Sequence, residues 1–338
     1  MKRVLIDHFG GPEVVKVVDT ADPRPGPGEV RVKVLAAGVS LTDAQLRAGT
    51  YLGGPKPPFT PGYELVGTVE QLGPGCSRLQ VGDRVGSLTV WGADAERVCV
   101  PEKYAVAVPE DLDPAEVVSL IFPYMTAYQM LHRTAMVQPG ESVLVHGAAG
   151  RVGTAALELG VAAGLSLYGT ASARDLAAVE AHGAVAIDYQ HNDFLACMRD
   201  MTGDGVDVVL DPIGGRVALQ SFRALRPGGR LVIFGRQNTL GADGRKNWPA
   251  VFEWYALTGT TWLWGLLAPG RHVLKYRIQK LRIPHQDWFA EDFAVLLDLL
   301  RNGKVHPVVA ERLPFSDARR AHEMLEGSAA AGKLVLVP

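Results

Sequence analysis

Apolar and polar residues alternate in the first third of the chain, and this pattern predicts a region rich in β-strands. Residues 30–34 alternate between valine and a charged residue, as a half-buried strand does. Residues 65–72 and 84–90 are further predicted strands, and glycine- and proline-rich segments separate the three runs. Closely spaced strands with such turns favour a barrel-like antiparallel fold.

The pattern changes to helical spacing near Pro114. Residues 115–131 are predicted to form a helix, with Asp113 as its N-cap and Pro114 at its first position. From Glu141 onward, predicted strands (143–146, 165–169, 185–187, 206–210 and 230–234) alternate with predicted helices (154–163, 174–182 and 192–201). This alternation indicates an α/β domain with a parallel, doubly wound sheet.

Residues 235–284 form an aromatic-rich segment that we expect to be helical and to pack on the sheet or over the cleft. Its tryptophans either line a large apolar substrate pocket or pack in the core or a dimer interface: Trp248, Trp254, Trp262 and Trp264. An amphipathic helix over 288–302, closed by Gly303, and a strand over 333–337 are predicted after this segment.

A glycine-rich turn follows the predicted strand that begins at Val143. Gly147, Gly150 and Gly153 have the spacing G-x-x-G-x-x-G, a variant of the dinucleotide-binding fingerprint. The first glycine permits a tight turn, the second lets the backbone approach a pyrophosphate, and the third lets the helix lie close to the sheet. Free N–H groups at the helix N-terminus attract phosphates. The same glycines could also form an ordinary tight turn.

Composition and charge narrow the possible functions. A length of 338 residues favours two domains, and 47% hydrophobic with 21% charged residues is typical of globular proteins. The net charge of −2 predicts neither nucleic-acid binding nor attraction to anionic membranes. No signal-peptide pattern or membrane-spanning run is recognisable. The three cysteines include no C-x-x-C pair, so we predict no structural zinc site and a cytoplasmic location.

Several short phrases of the chain resemble those of a known enzyme family. They occur in the expected order, at residues 36–43, 58–62, 81–85, 124–128, 145–150 and 332–338. The chain resembles the medium-chain dehydrogenase/reductase superfamily, especially its zinc-free quinone oxidoreductase branch with vesicle amine transport protein-like and enoyl reductase-like members. The resemblance implies a GroES-like β-rich catalytic domain (1–118 and 288–338) and a Rossmann domain (119–287).

The residues at the zinc-ligand positions of this superfamily argue against a metal. Zinc-dependent members have Cys, His and Cys where this chain aligns Ser40, Tyr63 and Phe122. These side chains do not form a tetrahedral zinc site. A zinc alcohol dehydrogenase is therefore disfavoured, and we predict that the protein holds no metal.

The end of the second strand of the parallel sheet predicts the cofactor. NAD-specific sites usually have an acid there, which binds the ribose hydroxyls. Here Ser172 and Arg174 occupy that place, and the first acid, Asp175, comes later. A hydroxyl and a guanidinium suit a 2′-phosphate, so we predict NADPH rather than NADH. Arg174 could instead be a solvated residue in the first turn of a helix.

The resemblance implies further cofactor contacts. The turn residues expected to line the pyrophosphate are Ala149, Gly150, Arg151, Val152 and Gly153. Thr126 is expected near the nicotinamide amide, Tyr189 near the adenosine phosphate, and Gly235 and Lys333 at the border of the nicotinamide cleft. Glycine is usual at the position of Arg151, whose side chain either contacts a phosphate or faces solvent.

The predicted chemistry is hydride transfer from the cofactor to an electrophilic double bond, in a quinone or an α,β-unsaturated carbonyl. Hydride addition creates an enolate that needs oxyanion stabilisation and a proton. The resemblance implies that Tyr51 faces the nicotinamide and donates to this oxyanion; a mere aromatic wall is the alternative. Ser40 is the second catalytic candidate. Tyr63 and His146 are expected to be structural, whereas Asp43 either orients its loop or forms a salt bridge.

Two other functions remain open. A free-standing enoyl thioester reductase would need a basic patch, for which the candidates are Arg271, Lys275, Arg277 and Lys280. A non-catalytic NADPH-binding protein would also contain an intact glycine turn. By resemblance, a homodimer that forms through the edge of the nucleotide-domain sheet is expected in either case.

Overall fold

The computed structural model describes residues 1–51, 53–236, 239, 247–267, 270–281, 284–327 and 332–338. The chain divides into two compact units. The first contains Met1–Met125 and Arg282–Pro338, and the second contains Thr126–Leu281. The observed boundaries, at 125/126 and 281/282, differ from the predicted ones at 118/119 and 287/288.

The strands are numbered in chain order. They are β1 (Lys2–Ile6), β2 (Val15–Asp19), β3 (Glu29–Val39), β4 (Glu64–Leu72), β5 (Arg84–Leu88), β6 (Arg97–Pro101), β7 (Ala105–Ala107), β8 (Ser142–His146), β9 (Ser166–Ala171), β10 (Val185–Asp188), β11 (Val206–Asp211), β12 (Leu225–Ile233), β13 (His272–Lys275), β14 (Val309–Pro314) and β15 (Lys333–Val337).

The α-helices are numbered in the same way. They are α1 (Leu41–Arg47), α2 (Pro114–Ser119), α3 (Met125–Tyr128), α4 (Arg151–Ala162), α5 (Leu176–Ala181), α6 (Phe194–Thr202), α7 (Arg216–Ala224), α8 (Trp248–Leu267), α9 (Ile278–Leu281), α10 (Gln286–Arg301) and α11 (Ala318–Glu326).

The first unit is built around a sheet with the strand order β14-β15-β3-β4-β5-β7, in which β6 also pairs with β3. Its neighbouring strands are antiparallel, except that β14 and β15 are parallel. The valines of β3 predicted to face inward are fully buried in the core: Val30, Val32 and Val34. The predicted β-rich GroES-like domain is confirmed.

The second unit contains a parallel sheet with the strand order β10-β9-β8-β11-β12-β13. The chain runs outward from β8 to β10 and then returns to β11 beside β8. This reversal is the topological switch point of a doubly wound sheet, where the carboxyl ends of the strands leave room for a ligand. The predicted Rossmann fold is confirmed.

The segment 235–284 departs from its prediction. A helix, α8, is present as expected, but β13 is a strand that extends the sheet beside β12. The prediction that the whole segment is helical is therefore wrong at residues 272–275. This strand has four residues, too few for alternation to distinguish it from a helix. Residues 237–238, 240–246, 268–269 and 282–283 of the segment lie outside the described residues.

The helix predicted over 115–131 begins as expected. Asp113 caps it, because its carboxylate accepts hydrogen bonds from the N–H groups of Ala115 and Glu116. The interior, however, is π-helical at Leu120–Tyr124 and Gln129–Ala135. Pro123 lies in the first of these segments and has no N–H to donate, which favours a shift of the hydrogen-bond ladder there.

Candidate active site

The glycine turn of the second unit joins β8 to α4. Gly147 has a φ of 63°, which a side chain would strain, and its carbonyl accepts a 2.9 Å hydrogen bond from the N–H of Gly150. A Cβ on Gly153 would collide with the carbonyl oxygens of Gly147 and Ala148. Gly150 is the N-cap of α4 and leaves the helix N-terminus without a capping side chain. The turn therefore offers backbone N–H groups to an anion.

A buried hydrogen-bond network supports this turn from below. His146 Nδ1 lies 3.0 Å from Thr170 Oγ1, and His146 Nε2 lies 2.9 Å from Ser221 Oγ. Thr170 Oγ1 also accepts a 3.4 Å hydrogen bond from the N–H of Gly147. Burial lowers the pKa of His146 to about 3, so the imidazole is neutral. His146 thus connects β8, β9 and α7 beneath the turn.

Ser172 and Arg174 lie together just beyond β9, where the 2′-phosphate contact is expected. Both contact Asp175: Ser172 Oγ donates to Asp175 Oδ2 at 2.5 Å, and Arg174 Nε donates to the same oxygen at 3.2 Å. The hydrogen bond from Ser172, with a smaller contribution from Arg174, lowers the pKa of Asp175. The predicted phosphate site therefore contains a carboxylate that competes for the same donors.

Other predicted cofactor residues also lie in the second unit. Thr126 is buried, and its Oγ1 has no hydrogen-bond partner among the described residues. Gly235 follows β12 so closely beside Pro212 that a Cβ would overlap the Pro212 carbonyl. Tyr189 is exposed just after β10. An orphaned buried hydroxyl, an open helix N-terminus and two close glycine contacts fit a bound dinucleotide.

The first unit contains a buried polar cluster around Ser40 and Asp43, at the start of α1. Asp43 Oδ2 accepts hydrogen bonds from Ser40 N at 2.8 Å and from Ser40 Oγ at 2.7 Å. Asp43 Oδ1 accepts a 3.0 Å hydrogen bond from the N–H of Gly62. Asp43 therefore holds the start of α1 and the segment at Gly62 together, which agrees with its predicted role of orienting the loop. The Ser40 hydroxyl donates its hydrogen bond to Asp43 in this helix cap.

Two phenols and one phenyl ring lie beside this cluster. Tyr51 and Tyr63 have their hydroxyl oxygens 3.0 Å apart, and either can be the donor. The Tyr63 ring packs on Phe122 with 4.5 Å between centroids. Burial raises the pKa of Tyr63 well above its usual range, so this phenol stays protonated. Among the described residues, no group of three or more His, Cys, Asp or Glu side chains could hold a metal ion.

Lys333 lies in the first unit, where its ammonium forms a buried ion pair with Glu64. Both side chains are almost inaccessible to solvent. Asp94 is also fully buried, and neither of its carboxylate oxygens has a hydrogen-bond partner within the described residues. This burial, with Asp43 and Glu64 nearby, raises the pKa of Asp94 well above its usual range.

The sequence analysis did not single out Glu64 or Asp94. No local signal exists for Glu64, because a charged residue at the start of a strand is normally exposed and β4 also contains Glu70 and Gln71. Its partner Lys333, at the start of β15, lies 269 positions away along the chain. For Asp94 we find no signal in the sequence.

The tryptophans of the aromatic segment do not face one common pocket. Trp254 is buried, and its indole N–H donates to the Ile213 carbonyl at 2.8 Å. Trp264 packs near the Phe222 ring, whereas Trp248 and Trp262 are exposed. Core packing, one of the predicted alternatives, is therefore seen for Trp254 and Trp264.

Three of the four residues of the predicted basic patch, Lys275, Arg277 and Lys280, lie close enough to influence one another. The neighbouring cations Arg277 and Lys280 add to partial burial in lowering the pKa of Lys275. The guanidinium of Arg271, in contrast, lies 5.8 Å from the Phe222 ring centroid. No helix within the described residues has the length and apolarity needed to cross a membrane.

Comparison with known proteins agrees with this architecture. Residues 26–110 match the family described as alcohol dehydrogenase GroES-like domain, and residues 181–336 match the family described as zinc-binding dehydrogenase. The positions of the expected zinc ligands, Ser40, Tyr63 and Phe122, lie outside the second match.

Similar proteins cover the whole chain. The human synaptic vesicle membrane protein VAT-1 homolog is 33% identical over 100% of this chain and 86% of its own length. Human quinone oxidoreductase is 30% identical, over 100% of this chain and 98% of its own. A mycobacterial protein solved in complex with NADPH is 30% identical, with a TM-score of 0.84 over 100% of both chains.

A GroES-like domain combined with a parallel Rossmann sheet defines a two-domain dehydrogenase fold. The chain belongs to the medium-chain dehydrogenase/reductase superfamily, in its zinc-free quinone oxidoreductase branch. It is therefore an oxidoreductase of this superfamily.

Proposed function

We propose that this protein is a zinc-independent, NADPH-dependent reductase that transfers hydride to a quinone or an α,β-unsaturated carbonyl. The observation that carries the proposal is the set of side chains at the zinc-ligand positions. Ser40 caps a helix there, and Tyr63 packs on Phe122 with its hydroxyl against Tyr51. This arrangement supplies phenolic hydrogen-bond donors instead of a Lewis acid.

The cofactor proposal rests on residues of the second unit. The N–H groups of the turn Gly147–Gly153 would bind the pyrophosphate, Ser172 and Arg174 the 2′-phosphate, and Thr126 Oγ1 the nicotinamide amide. Gly235, Tyr189 and Lys333 would border the cofactor, with the Lys333 ammonium held in place by Glu64. NADPH, when bound, supplies the hydride.

Tyr51 has the main catalytic role in this proposal. Hydride addition leaves negative charge on the carbonyl oxygen of the acceptor, and a phenol donating to that oxygen stabilises the charge. Tyr63 can donate to Tyr51 at 3.0 Å, and in that orientation the Tyr51 hydroxyl donates to the substrate. Because Tyr63 stays protonated, this donor is available at neutral pH.

Location and assembly follow the resemblance. We propose a cytoplasmic protein that forms a homodimer and acts on small electrophilic alkenes or quinones. Support comes from the similar quinone oxidoreductases and from the net charge of −2, which offers no attraction to nucleic acid.

The first test follows loss of nicotinamide absorbance with NADPH and NADH in parallel, against quinones, enones and enoyl thioesters. We expect NADPH-selective turnover of quinones or enones. Turnover of thioesters alone would favour the enoyl reductase alternative. Saturable NADPH binding without any turnover would favour a binding protein, and loss of activity on removal of stoichiometric zinc would contradict zinc independence.

The Tyr51→Phe variant tests the catalytic role. We expect kcat to fall about 100-fold with little change in NADPH affinity, because the lost hydroxyl acts on the developing oxyanion. Tyr104→Phe, at the end of a short 3-10 helix of the same unit, is the matched control. Full turnover by Tyr51→Phe would remove Tyr51 from the mechanism.

A further inference from the structure

The chain between β5 and β6 holds the segment 61–63 by backbone hydrogen bonds. The acceptors are the carbonyl groups of this segment, which ends at Tyr63. The donors are the N–H groups of Thr89, Val90, Gly92, Ala93 and Asp94, at distances of 2.9–3.1 Å. Thr89 Oγ1 also donates to the Gly62 carbonyl, at 2.9 Å. The loop 89–94 and the segment 61–63 therefore form one hydrogen-bonded piece of backbone.

Val90 takes a strained conformation within this loop. Its φ is 73°, in the left-handed region that β-branched residues rarely adopt, and its side chain is buried. A strained residue persists only where the surrounding structure holds it, and such residues cluster at functional sites. The loop is therefore held in a conformation that its own sequence does not favour, against the segment that carries Tyr63.

The Asp94 side chain lies beside Gly62 in the same piece of backbone. A Cβ on Gly62 would be 2.6 Å from Asp94 Oδ1, so the absence of a side chain at this position leaves room for the carboxyl group. The Gly62 N–H donates to Asp43 Oδ1. Gly62 therefore lies next to two fully buried acids, and the position of the following residue, Tyr63, depends on both.

The charges around Asp94 do not balance if every group is ionised. The cation of Lys333 interacts with a group of fully buried acids: Asp43, Glu64 and Asp94. Asp43 accepts three hydrogen bonds, and Glu64 pairs with Lys333. The carboxyl oxygens of Asp94 have no hydrogen-bond partner within the described part of the chain. Burial of an ionised carboxylate without donors is very costly, so Asp94 is the acid of this group that keeps its proton.

The pKa shifts of these acids agree with this assignment. Burial raises the pKa of Asp43, but its hydrogen bonds and the charge of Lys333 oppose the rise. At Asp94, burial and the negative charges of Asp43 and Glu64 all raise the pKa, to well above its usual range. Asp94 is therefore neutral at neutral pH.

Strand β1 also packs against Asp94. The Asp94 carbonyl accepts a 2.8 Å hydrogen bond from the N–H of Val4, and Arg3 pairs with Ala95. The charged residues of this contact, Arg3 and Glu96, form no hydrogen bond with the Asp94 carboxyl group. Strand β1 therefore fixes the backbone of Asp94 without stabilising a charge on its side chain.

We propose that Asp94 is a positioning residue of the candidate site, which holds Tyr63 beside Tyr51 as a neutral acid packed against Gly62. Its ionisation would add a charge to a buried region that is already negative, and the segment 61–63 would have to move to admit water. The Tyr63 hydroxyl would then leave its 3.0 Å contact with Tyr51. The proposal rests on the proposed role of Tyr51, but its first two tests need no turnover.

Infrared spectroscopy tests the protonation of Asp94. At neutral pH, the difference spectrum of wild type and Asp94→Asn should contain the carbonyl stretch of a protonated carboxylic acid. Asp19→Asn, which replaces an exposed acid at the end of β2, is the matched control and should show carboxylate bands instead. Carboxylate bands in the Asp94 difference spectrum would show that Asp94 is ionised and would overturn the proposal.

Nuclear magnetic resonance of carbon-13-labelled tyrosine tests the positioning role. The signal of Tyr51 Cζ, identified by its loss in Tyr51→Phe, reports the hydrogen bonding of this phenol. Asp94→Ala removes the side chain beside Gly62 and should shift the signal at neutral pH. Asp94→Asn, a neutral group of the same shape, should leave it near its wild-type position.

An unmoved Tyr51 signal in Asp94→Ala would show that Asp94 does not act on this phenol, and the proposal would be wrong. Circular dichroism checks the folding of each variant. Asp94→Ser, whose side chain is also shorter than that of Asp94, carries the same expectation if Asp94→Ala does not fold.

The pH dependence of turnover connects Asp94 to activity. The kcat of wild type should fall on the alkaline side as Asp94 ionises, and Asp94→Asn should move this fall to higher pH because an amide does not ionise. Asp94→Ala should lower kcat about tenfold at neutral pH with NADPH affinity unchanged, and Asp94→Asn should recover most of the loss.

Identical pH profiles of wild type and Asp94→Asn would contradict the role of Asp94 in turnover. A wild type that reduces no acceptor would instead contradict the proposed reductase function. In that case the infrared and tyrosine measurements alone decide whether Asp94 is neutral and positions Tyr51.

Discussion

The polar region of the first unit and the polar region of the second unit are built in opposite ways. The glycine turn of the second unit presents backbone groups, and its supporting His146 network is neutral. The cluster of the first unit is made of charged side chains that come from distant parts of the chain, such as Glu64 and Lys333. The glycine turn depends on residues without a Cβ at its close contacts. The charged cluster depends on each buried charge having its partner of opposite charge.

This difference predicts where each region is vulnerable. The turn should tolerate changes in side chains that point away from it but not an added Cβ at a close contact. The charged cluster should tolerate a change of shape but not the loss of one partner, because a buried charge without a partner is very costly. Substitutions at Lys333, Gly153 and Arg174 test these expectations, and a fourth, at Asp211, tests a buried acid elsewhere in the second unit.

Lys333→Met should have the largest effect, on stability. It leaves the fully buried Glu64 without its cation, and removal of one partner of a buried ion pair costs about 3–5 kcal/mol. Urea unfolding followed by circular dichroism measures the loss. The double variant Lys333→Met/Glu64→Gln should recover most of it, because no uncompensated charge remains. A single variant as stable as wild type would show that the pair is not buried in solution.

Asp211→Asn should change how the free energy of unfolding depends on pH, because Asp211 is a buried acid of the second unit. Burial raises the pKa of Asp211 to about 6, against two opposing hydrogen bonds from the N–H groups of Gly214 and Ile213. The stabilising contribution of this raised pKa is complete below the ordinary value of 3.8 and is lost as the pH rises through about 6. Relative to the variant, wild type should lose about 3 kcal/mol of unfolding free energy between about pH 4 and pH 7.

Denaturant unfolding across this range measures the Asp211 effect. Asp204→Asn, an exposed acid in the same unit, is the control for the loss of one charge. A constant difference between wild type and Asp211→Asn across the range would mean that Asp211 is ionised throughout.

The turn consists of neighbouring residues and the cluster joins distant segments, and this difference explains which features could be predicted from the sequence. The Rossmann sheet and its turn were predicted because strand, glycines and helix are adjacent in the chain. The antiparallel strands of the first unit were predicted from local alternation, such as that of β3, and their GroES-like arrangement from the family resemblance. The Glu64–Lys333 pair and the contact of Tyr51 with Tyr63 join separate segments, and no local pattern determines them.

Two local predictions failed or were incomplete for physical reasons. Strand β13 is stabilised by pairing with β12 rather than by its own four residues, so the pattern of the segment did not show it. The first π-helical segment follows from Pro123, but the helical spacing around it still resembles an α-helix. In both cases a tertiary contact or a missing N–H overrides the pattern of apolar residues.

Gly153→Ala should weaken cofactor binding by up to about 100-fold. The added Cβ would overlap the carbonyls of Gly147 and Ala148, and relieving the overlap by moving the turn costs about 1–3 kcal/mol. Fluorescence titration with NADPH measures the change. Thr154→Val, the next residue of α4, alters a side chain without crowding the turn and should bind normally. Wild-type affinity in Gly153→Ala would show that the turn adapts and does not hold the pyrophosphate.

Arg174→Ala should have the smallest effect, on the choice between NADPH and NADH. Arg174 is 75% exposed and shares Asp175 with Ser172, so its contribution to a 2′-phosphate is screened, and we expect a loss of about tenfold in NADPH affinity with NADH unchanged. Asp175→Ala should do the reverse, because it releases both donors and removes a negative charge from the phosphate site. Parallel titrations with the two cofactors measure both variants. If Asp175→Ala instead weakened NADH binding and left NADPH unchanged, Asp175 would be the ribose-binding acid of an NAD site, and the backbone turn would serve a different cofactor from the one proposed.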